Sequence, residues 1–229
     1  MQARFRNRRS AGRALAGKLL DYAGRDDAVV LALPRGGVPV AYEIATALSL
    51  PLDVFVVRKL GFPGHEEFAM GAIASGGVRV LNPDLAEQLA DQATLIESVT
   101  AREALELERR ERLYRAGRAP LALRGRSVIL VDDGLATGST MLAAIVALRQ
   151  REPASIAVAV PVGSPQICQE LSREVDELVC ATTPEPFSSV GRWYADFDQT
   201  SDEEVEELLA QATIAWAEHR TPRASHALQ

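Results

Sequence analysis

The sequence predicts an α/β fold in which a parallel sheet is covered by helices on both faces. Short, fully apolar segments alternate with segments of helical periodicity, which is the pattern of buried parallel strands joined by helices. Turns that contain glycine, proline or aspartate follow several of the apolar segments. The 229 residues are enough for a buried core, and we expect residues 1–229 to form a single domain.

The first part of the chain supplies two predicted strands and two predicted helices. Apolar residues at helical spacing predict a helix over residues 10–23, with Ser10 as its N-cap. Residues 28–33 and 52–57 are apolar runs that predict buried strands, and residues 38–48 between them predict a helix. This order is typical of a βαβ unit.

Two segments interrupt the alternation. Residues 69–74 and 78–81 flank a Ser-Gly-Gly turn, which predicts an antiparallel hairpin. Residues 84–117 are the longest polar stretch with a helical pattern, and they combine a thin apolar stripe with Glu–Arg pairs four residues apart. We expect this long helical insertion to have a structural role or to form a subunit contact.

The alternation resumes in the second half of the chain. Strands are predicted over residues 127–131, 156–160 and 178–180, and helices over residues 140–149, 165–174 and 202–218. The core therefore spans residues 28–180, and residues 181–220 are expected to form a small hood and a C-terminal helix. Ser201 and Glu204 form a predicted capping box at the start of that helix. Residues 221–229 are expected to be a frayed tail.

Composition excludes several classes of protein. Lys and Arg total 25 and Asp and Glu total 31, and the resulting net charge of −6 argues against a nucleic-acid-binding protein. No apolar run approaches the roughly 20 residues needed to span a bilayer, and no apolar segment of the signal-peptide kind follows the basic N-terminus. Cys168 and Cys180 cannot form a disulfide framework or a zinc site by themselves. We therefore expect a cytoplasmic protein with no membrane partner.

Positive charge is unevenly distributed along the chain. Lys18 and Lys59 are the only lysines, so every other cationic side chain at neutral pH is an arginine. Five arginines crowd the N-terminal segment, at Arg4, Arg6, Arg8, Arg9 and Arg13. These arginines either form a solvated face or contact an anionic ligand or an acidic neighbouring subunit.

The segment with the most informative chemistry follows the predicted strand at residues 127–131. Asp132 and Asp133 come directly after this strand, and a loop of small and hydroxylated residues then runs from Gly134 to Thr140. The loop amides and the N-terminus of the next helix form an anion site. Two adjacent carboxylates suit vicinal hydroxyls or a hydrated metal ion. Together these features predict a site for a phosphorylated sugar.

Two other phosphate-binding patterns are not met. The glycines of the loop, Gly134 and Gly138, are separated by three residues and followed by Ser139, whereas a Walker loop needs four residues and then a lysine. No Gly-x-Gly-x-x-Gly follows a predicted strand, which disfavours a dinucleotide fold of that type.

Residues 128–140 resemble the phosphoribosyl pyrophosphate signature of the type I phosphoribosyltransferases: an apolar strand, two acids, three residues, then Thr-Gly-x-Thr. Residues 33–41 resemble the pyrophosphate loop of the same family, and Arg58 and Lys59 lie where such enzymes often carry a basic residue. The resemblance covers residues 28–180, and the chain ends look closest to bacterial phosphoribosyltransferase-like proteins. It implies the type I phosphoribosyltransferase fold.

The resemblance also implies roles for individual residues. Asp132 and Asp133 would bind the ribose 2′- and 3′-hydroxyls, directly or through Mg²⁺. The 5′-phosphate would be held by Ala136, Thr137, Gly138, Ser139 and Thr140. Pyrophosphate would be bound by Arg35, Gly36 and Gly37, where the family often has a non-proline cis peptide. Lys59 would neutralise the leaving group.

The acceptor of the phosphoribosyl group is less sharply indicated. Hypoxanthine–guanine enzymes carry Asp at the position of Ala136, whereas adenine enzymes carry Ala, so an adenine-like acceptor stays open. Residues 61–68 are rich in Gly and Pro and suit a mobile lid. Within it we favour Glu67 as the general acid or base; the alternative is that Glu66 and Glu67 are solvated. His65 is either an ordinary loop histidine or a catalyst.

Aromatic residues gather in the predicted hood, at Phe187, Trp193 and Tyr194. They either stack on a flat base or pack the last helix against the core. The function implied by the resemblance is Mg²⁺-dependent transfer of phosphoribose to a nitrogenous base-like acceptor. The catalytic residues that we predict are Arg35 and Lys59, which the resemblance implies, and Glu67 from the predicted lid. The resemblance also implies a homodimer, which is common in this family. The alternative is a non-catalytic regulator that binds phosphoribosyl pyrophosphate.

Overall fold

The computed structural model describes residues 4–62, 65–81 and 92–220. Its centre is the expected parallel sheet, with five strands in the order β2-β1-β6-β7-β8. These strands are β1 (Ala28–Ala32), β2 (Leu52–Val54), β6 (Ser127–Val131), β7 (Ser155–Val162) and β8 (Glu177–Thr182). The neighbouring pairs are all parallel, so the predicted fold class is confirmed.

Helices cover both faces of this sheet. They are α1 (Arg8–Ala16), α2 (Gly37–Leu48), α3 (Ala93–Arg115), α4 (Ser139–Arg149), α5 (Pro165–Leu171) and α6 (Asp202–Arg220). Alternate residues of β1 point to opposite faces of the sheet and belong to two different hydrophobic cores. Val30 packs in the core formed with α1, α2, α3 and α6, and Val29 packs in the core formed with α4 and α5. Every residue of β1 is buried, which explains why the strand is apolar throughout.

A second, smaller sheet holds the middle of the chain. Its antiparallel strands are β3 (Val57–Phe62), β4 (His65–Ala74) and β5 (Val78–Leu81), in that order. The predicted hairpin is therefore present, but β3 was not expected as a separate strand. Residues 61, 62 and 65–68, predicted to be a lid loop, belong to strands β3 and β4. Antiparallel pairing between β3 and β4 overrode the local Gly and Pro signals at these residues.

The N-terminal helix begins earlier and ends earlier than its sequence pattern predicts. Asn7 is the N-cap, and it forms a capping box with Ser10, which is the third helical residue. Helix α1 ends at Ala16, and a short 3₁₀ turn over Leu20–Tyr22 follows it.

The long insertion is helical where it is described. Helix α3 carries two of the expected Glu–Arg pairs, Glu106 with Arg110 and Glu111 with Arg115, each at 2.7 Å. It packs against β3 and α6, while residues 82–91 lie outside the described part of the chain. Among the described residues, no helix is both long and apolar enough to cross a membrane.

Candidate functional site

The site lies at the carboxyl ends of the parallel strands, where β6 delivers Asp132 and Asp133. Both side chains are half-buried, and the Asp133 amide donates to Asp132 Oδ1 at 2.8 Å. Beyond them, Leu135 is buried and exchanges backbone hydrogen bonds with the end of β7, at Val162 O (2.9 Å) and Ser164 N (3.0 Å). The base of the loop is therefore fixed to the sheet.

The loop after Leu135 presents donors to solvent at the start of α4. Gly138 has φ +70°, a left-handed conformation that favours glycine, and it is the N-cap of α4. In the described part of the chain, no side chain caps this helix end. Thr137, Ser139 and Thr140 are exposed, and the Thr137 and Ser139 hydroxyls lie 3.1 Å apart. Free amides, hydroxyls and the helix dipole at one place form an anion site.

A second loop, after β1, approaches the two aspartates closely. The Pro34–Arg35 peptide bond is cis, which is the feature that the resemblance led us to expect at this loop. A Cβ on Gly36 would lie 2.1 Å from Asp133 Oδ2, and one on Gly37 would lie 2.6 Å from Val131 O. Glycine is therefore required at Gly37, where a Cβ would meet the backbone of β6, whereas a Cβ on Gly36 would displace the Asp133 carboxylate.

Arg35 points from this loop towards the start of α6. Its Nη1 lies 3.6 Å from Asp202 Oδ1, and the Tyr114 hydroxyl donates to the same oxygen at 2.7 Å. Burial, together with this hydrogen bond to Asp202, raises the pKa of Tyr114 to about 12. Tyr114 therefore remains a neutral donor at physiological pH and helps to hold Asp202 against Arg35.

The side chains of the two basic residues of β3, Arg58 and Lys59, point in opposite directions. Lys59 is exposed, and its Nζ donates to Ser139 Oγ at 2.7 Å, which places the ammonium at the N-terminus of α4. Arg58 instead pairs with Glu103 of α3 at 2.6 Å. Alternation along the strand explains the difference, because successive side chains point to opposite faces.

Arg8 compensates the charge of the aspartates. Its Nε lies 2.7 Å from Asp133 Oδ2, and only 12% of its side chain is exposed. Burial raises the pKa of Asp132 well above its usual range, and the neighbouring Asp133 carboxylate adds to that rise. Burial also raises the pKa of Asp133, but the charge of Arg8 opposes this rise. The pair is therefore a costly concentration of negative charge in the unliganded protein.

The aromatic residues of the hood loop, defined here as residues 183–201, lie in one small cluster. Phe187 and Trp193 are half-buried at its edge. Tyr194 is only 3% exposed; its ring packs between Phe5 and Phe197, and its hydroxyl donates to Asp133 O at 2.6 Å. Of the two roles that the sequence leaves open for these aromatic residues, the burial of Tyr194 therefore favours packing over stacking on a base.

Three candidate residues cannot be placed. The side chains of His65, Glu66 and Glu67 lie outside the described residues. In contrast, the structure adds three residues that the sequence did not single out for the site: Arg8, Tyr114 and Asp202. The N-terminal arginine cluster was a signal for Arg8, but nothing in the sequence distinguishes it from Arg9 and Arg13, which pair with Glu43.

Fold and site together define an α/β protein in which two adjacent carboxylates, at the carboxyl end of a buried parallel strand, precede a hydroxyl-rich loop and a helix N-terminus. The chain belongs to the phosphoribosyl transferase family, because the family model for the phosphoribosyl transferase domain matches residues 5–187.

The chain is similar to two curated proteins and to one solved structure. Two curated proteins of Mycobacterium tuberculosis, which carry a provisional phosphoribosyl transferase name, are each 45% identical over 214 residues and match 93% of this chain. The chain spans 48% of the length of each. The crystal structure of TT1426 from Thermus thermophilus is 46% identical, with 91% of this chain and 98% of that chain covered and a TM-score of 0.81.

Replacing Asp132 by Asn is expected to stabilise the unliganded protein at neutral pH. The folded-state pKa of Asp132 is raised, so the folded state holds this proton more tightly than the unfolded chain. The free energy of unfolding of the wild type therefore falls as pH rises from about 4, the ordinary value for Asp, through the folded pKa. Thermal melts should show Asp132→Asn above the wild type by several degrees at about pH 7.5, with roughly 2–4 °C for each kcal/mol.

That advantage should shrink as pH falls through the raised folded-state pKa of Asp132, because the wild-type carboxyl then becomes protonated and neutral. Asp27→Asn serves as a control of opposite sign, because hydrogen bonds from Arg25 lower the pKa of Asp27, and its neutralisation should not raise the melting temperature. A melting difference that did not change with pH would contradict the proposed origin of the effect.

Proposed function

We propose that the chain transfers phosphoribose from phosphoribosyl pyrophosphate to a nitrogenous, base-like acceptor, with release of pyrophosphate. The observation that carries this proposal is the meeting of two loops and one strand at the carboxyl ends of the sheet. The loop after β1 approaches the end of β6 so closely that a Cβ on Gly36 would lie 2.1 Å from Asp133 Oδ2, and Lys59 of β3 donates from its Nζ to Ser139 Oγ at 2.7 Å. Direct contacts therefore bring carboxylates, the hydroxyls at the start of a helix and a cation into one region of the molecule.

Each part of this substrate has a matching part in the site. The loop of Ala136, Thr137, Gly138, Ser139 and Thr140 would hold the 5′-phosphate by its amides and hydroxyls. Asp132 and Asp133 would accept hydrogen bonds from the ribose 2′- and 3′-hydroxyls. The Arg35–Gly37 loop and Lys59 would contact the pyrophosphate.

The charges that develop during the reaction define the roles of these residues. As the bond between C1′ and pyrophosphate breaks, positive charge develops on the ribose and negative charge on the departing group. Arg35 and Lys59 would stabilise the departing anion, and such preorganised charge is commonly the largest catalytic contribution. The half-buried carboxylates of Asp132 and Asp133 would lie on the ribose side, where they bind its hydroxyls.

Magnesium fits this site as a partner of the substrate. Among residues 4–62, 65–81 and 92–220, no group of three or more His, Cys, Asp or Glu side chains could hold a metal ion by itself. Two adjacent carboxylates, Asp132 and Asp133, are the hard oxygen donors that Mg²⁺ takes together with substrate oxygens and water. Bound there, Mg²⁺ would neutralise charge on the pyrophosphate.

The acceptor would enter beneath the hood loop. Val190 of this loop lies close to the phosphate loop, because a Cβ on Gly134 would be 2.6 Å from Val190 Cγ1. Half-buried Phe187 and Trp193 are the aromatic surfaces left for a flat base, since Tyr194 is covered. Glu67 on β4 stays our candidate for the general acid or base. We further propose a cytoplasmic homodimer as the working form.

A screen of base acceptors for pyrophosphate release, with and without Mg²⁺, tests the proposal directly. Purines, pyrimidines and pyridines would each be supplied with phosphoribosyl pyrophosphate, and release should depend on both the acceptor and Mg²⁺. Binding of phosphoribosyl pyrophosphate without release for any acceptor would overturn the transferase proposal and favour a regulatory protein that senses the same ligand.

Trp193→Ala is expected to raise the KM for the acceptor about tenfold, because stacking on a base contributes roughly 1–3 kcal/mol. The KM for phosphoribosyl pyrophosphate should change much less. Steady-state kinetics with each substrate varied in turn would measure both constants. An equal rise in both would assign Trp193 to packing of the hood loop.

A further inference from the structure

Arg8 lies between the two aspartates and the hood loop. Its Nε donates to Asp133 Oδ2 at 2.7 Å, and its Nη1 donates to Asp198 O at 2.6 Å. The guanidinium carbon also lies 3.9 Å from the centre of the Phe197 ring. A side chain that is held on one face by a ring and at two edges by oxygens has little freedom to leave the carboxylate.

The backbone around Arg8 is joined to the same loop. Phe5 N donates to Trp193 O at 2.9 Å, and Ala195 N donates to Phe5 O at 2.8 Å. The N-terminal segment therefore forms a short parallel bridge with the hood loop, between Phe5 and Tyr194. The hood loop also contacts Asp133 directly, because the Tyr194 hydroxyl donates to the Asp133 carbonyl at 2.6 Å.

Both ends of Asp133 are thus held by the N-terminal segment and the hood loop, which lie far from it in the sequence. Its side chain is fixed by Arg8 and its backbone carbonyl by Tyr194. The Asp133 carboxylate has only one oxygen engaged by Arg8 in the described hydrogen bonds, so its second oxygen stays available to a ligand. The Arg8 ion pair also offsets the charge of two adjacent carboxylates.

We propose that Arg8 is a positioning residue of the phosphoribosyl site, which orients the Asp133 carboxylate and couples it to the hood loop. This inference rests on the proposed function, since it assumes that Asp133 binds the ribose hydroxyls. Arg8 acts through Asp133 and not on the reacting atoms. Removal of its guanidinium leaves a half-buried carboxylate without its partner, free to rotate away from the ribose position.

The test compares Arg8→Gln and Arg8→Lys with Arg9→Gln in the full-length chain. Arg9 is the matched control, because it lies on the same helix turn and pairs with Glu43 at 2.6 Å, but its side chain is 48% exposed and faces away from the site. Calorimetric titration with phosphoribosyl pyrophosphate and, separately, with inorganic pyrophosphate would separate ribose binding from binding of the leaving group.

Arg8→Gln is expected to weaken phosphoribosyl pyrophosphate binding about 10- to 100-fold, the usual range for a residue that orients a ligand-binding group. Inorganic pyrophosphate binding should stay close to that of Arg9→Gln. Arg8→Lys keeps the charge but cannot reach Asp133 and Asp198 together, so it should restore part of the affinity. Melting temperatures measured in parallel would show that both Arg8 variants are folded at the titration temperature.

Unchanged affinity for phosphoribosyl pyrophosphate in Arg8→Gln, or an equal loss in Arg9→Gln, would overturn the inference. Equal losses for both ligands in Arg8→Gln would make Arg8 a direct pyrophosphate ligand and would also overturn the positioning role. Failure of the proposed function is distinguishable, because it would appear in the wild-type chain itself, as no binding of phosphoribosyl pyrophosphate or as binding without pyrophosphate release for any acceptor.

Discussion

Asp133→Asn is expected to weaken phosphoribosyl pyrophosphate binding by a factor of about 100 or more, since charge-assisted hydrogen bonds to the ribose hydroxyls become neutral ones. The variant keeps the size of the side chain, and its amide oxygen can still accept from Arg8, whose Nε lies 2.7 Å from Asp133 Oδ2. The fold is therefore expected to persist while the affinity falls. Titration calorimetry at a fixed Mg²⁺ concentration would measure the change.

A matched control for this variant is Asp196→Asn. Asp196 lies in the hood loop and carries the same charge as Asp133, but it is exposed, and in the described part of the chain it accepts only a long local hydrogen bond from the Asp198 amide, at 3.3 Å. Its neutralisation should leave the affinity nearly unchanged. If Asp133→Asn bound phosphoribosyl pyrophosphate as tightly as this control does, the assignment of the ribose site to the end of β6 would be lost.

Lys59→Met is expected to lower kcat by a factor of about 10²–10³, the usual cost of removing one preorganised donor from a developing anion. Lys59 is exposed and donates to Ser139, so its loss removes no core packing and should barely alter stability. Lys59→Arg keeps the charge but replaces a compact ammonium by a planar fork, and we expect it to recover only part of the activity. Single-turnover pyrophosphate release would measure the chemical step.

The chain offers its own control for this second experiment, because Lys18 is the only other lysine. Lys18 is exposed after the end of helix α1, so Lys18→Met makes the same chemical change away from the phosphate loop. Its kcat should match that of the wild type. A kcat for Lys59→Met as high as that of Lys18→Met would exclude Lys59 from the leaving-group site.

The sheet and its helices were predictable because their signals are local. Strand β1 is buried on both faces and therefore reads as an unbroken apolar run. The same reasoning failed at β3 and at the start of α1. At β3, pairing with β4 includes Gly61 and Phe62, although Gly and Pro are frequent around these residues. At α1, the side chain of Asn7 accepts a hydrogen bond from the Ser10 amide, so the helix begins before Ser10.

The candidate site was predictable where the residues are adjacent in the sequence. Asp132, Asp133 and the loop that follows form one continuous motif, and a strand end followed by a helix start dictates the rest of its geometry. By itself the sequence thus determined the parallel α/β sheet, the family and the place in the fold of the candidate phosphate loop.

Only the tertiary structure decided which side chains serve that loop. The Arg8–Asp133 pair spans 125 positions, and the Lys59–Ser139 contact spans 80. Arg8 and Arg9 are neighbours of identical chemistry, yet one meets Asp133 and the other Glu43, because adjacent residues of a helix point in different directions. Composition and periodicity record which residues a helix contains, whereas the path of the chain between distant elements determines which of them reach the site.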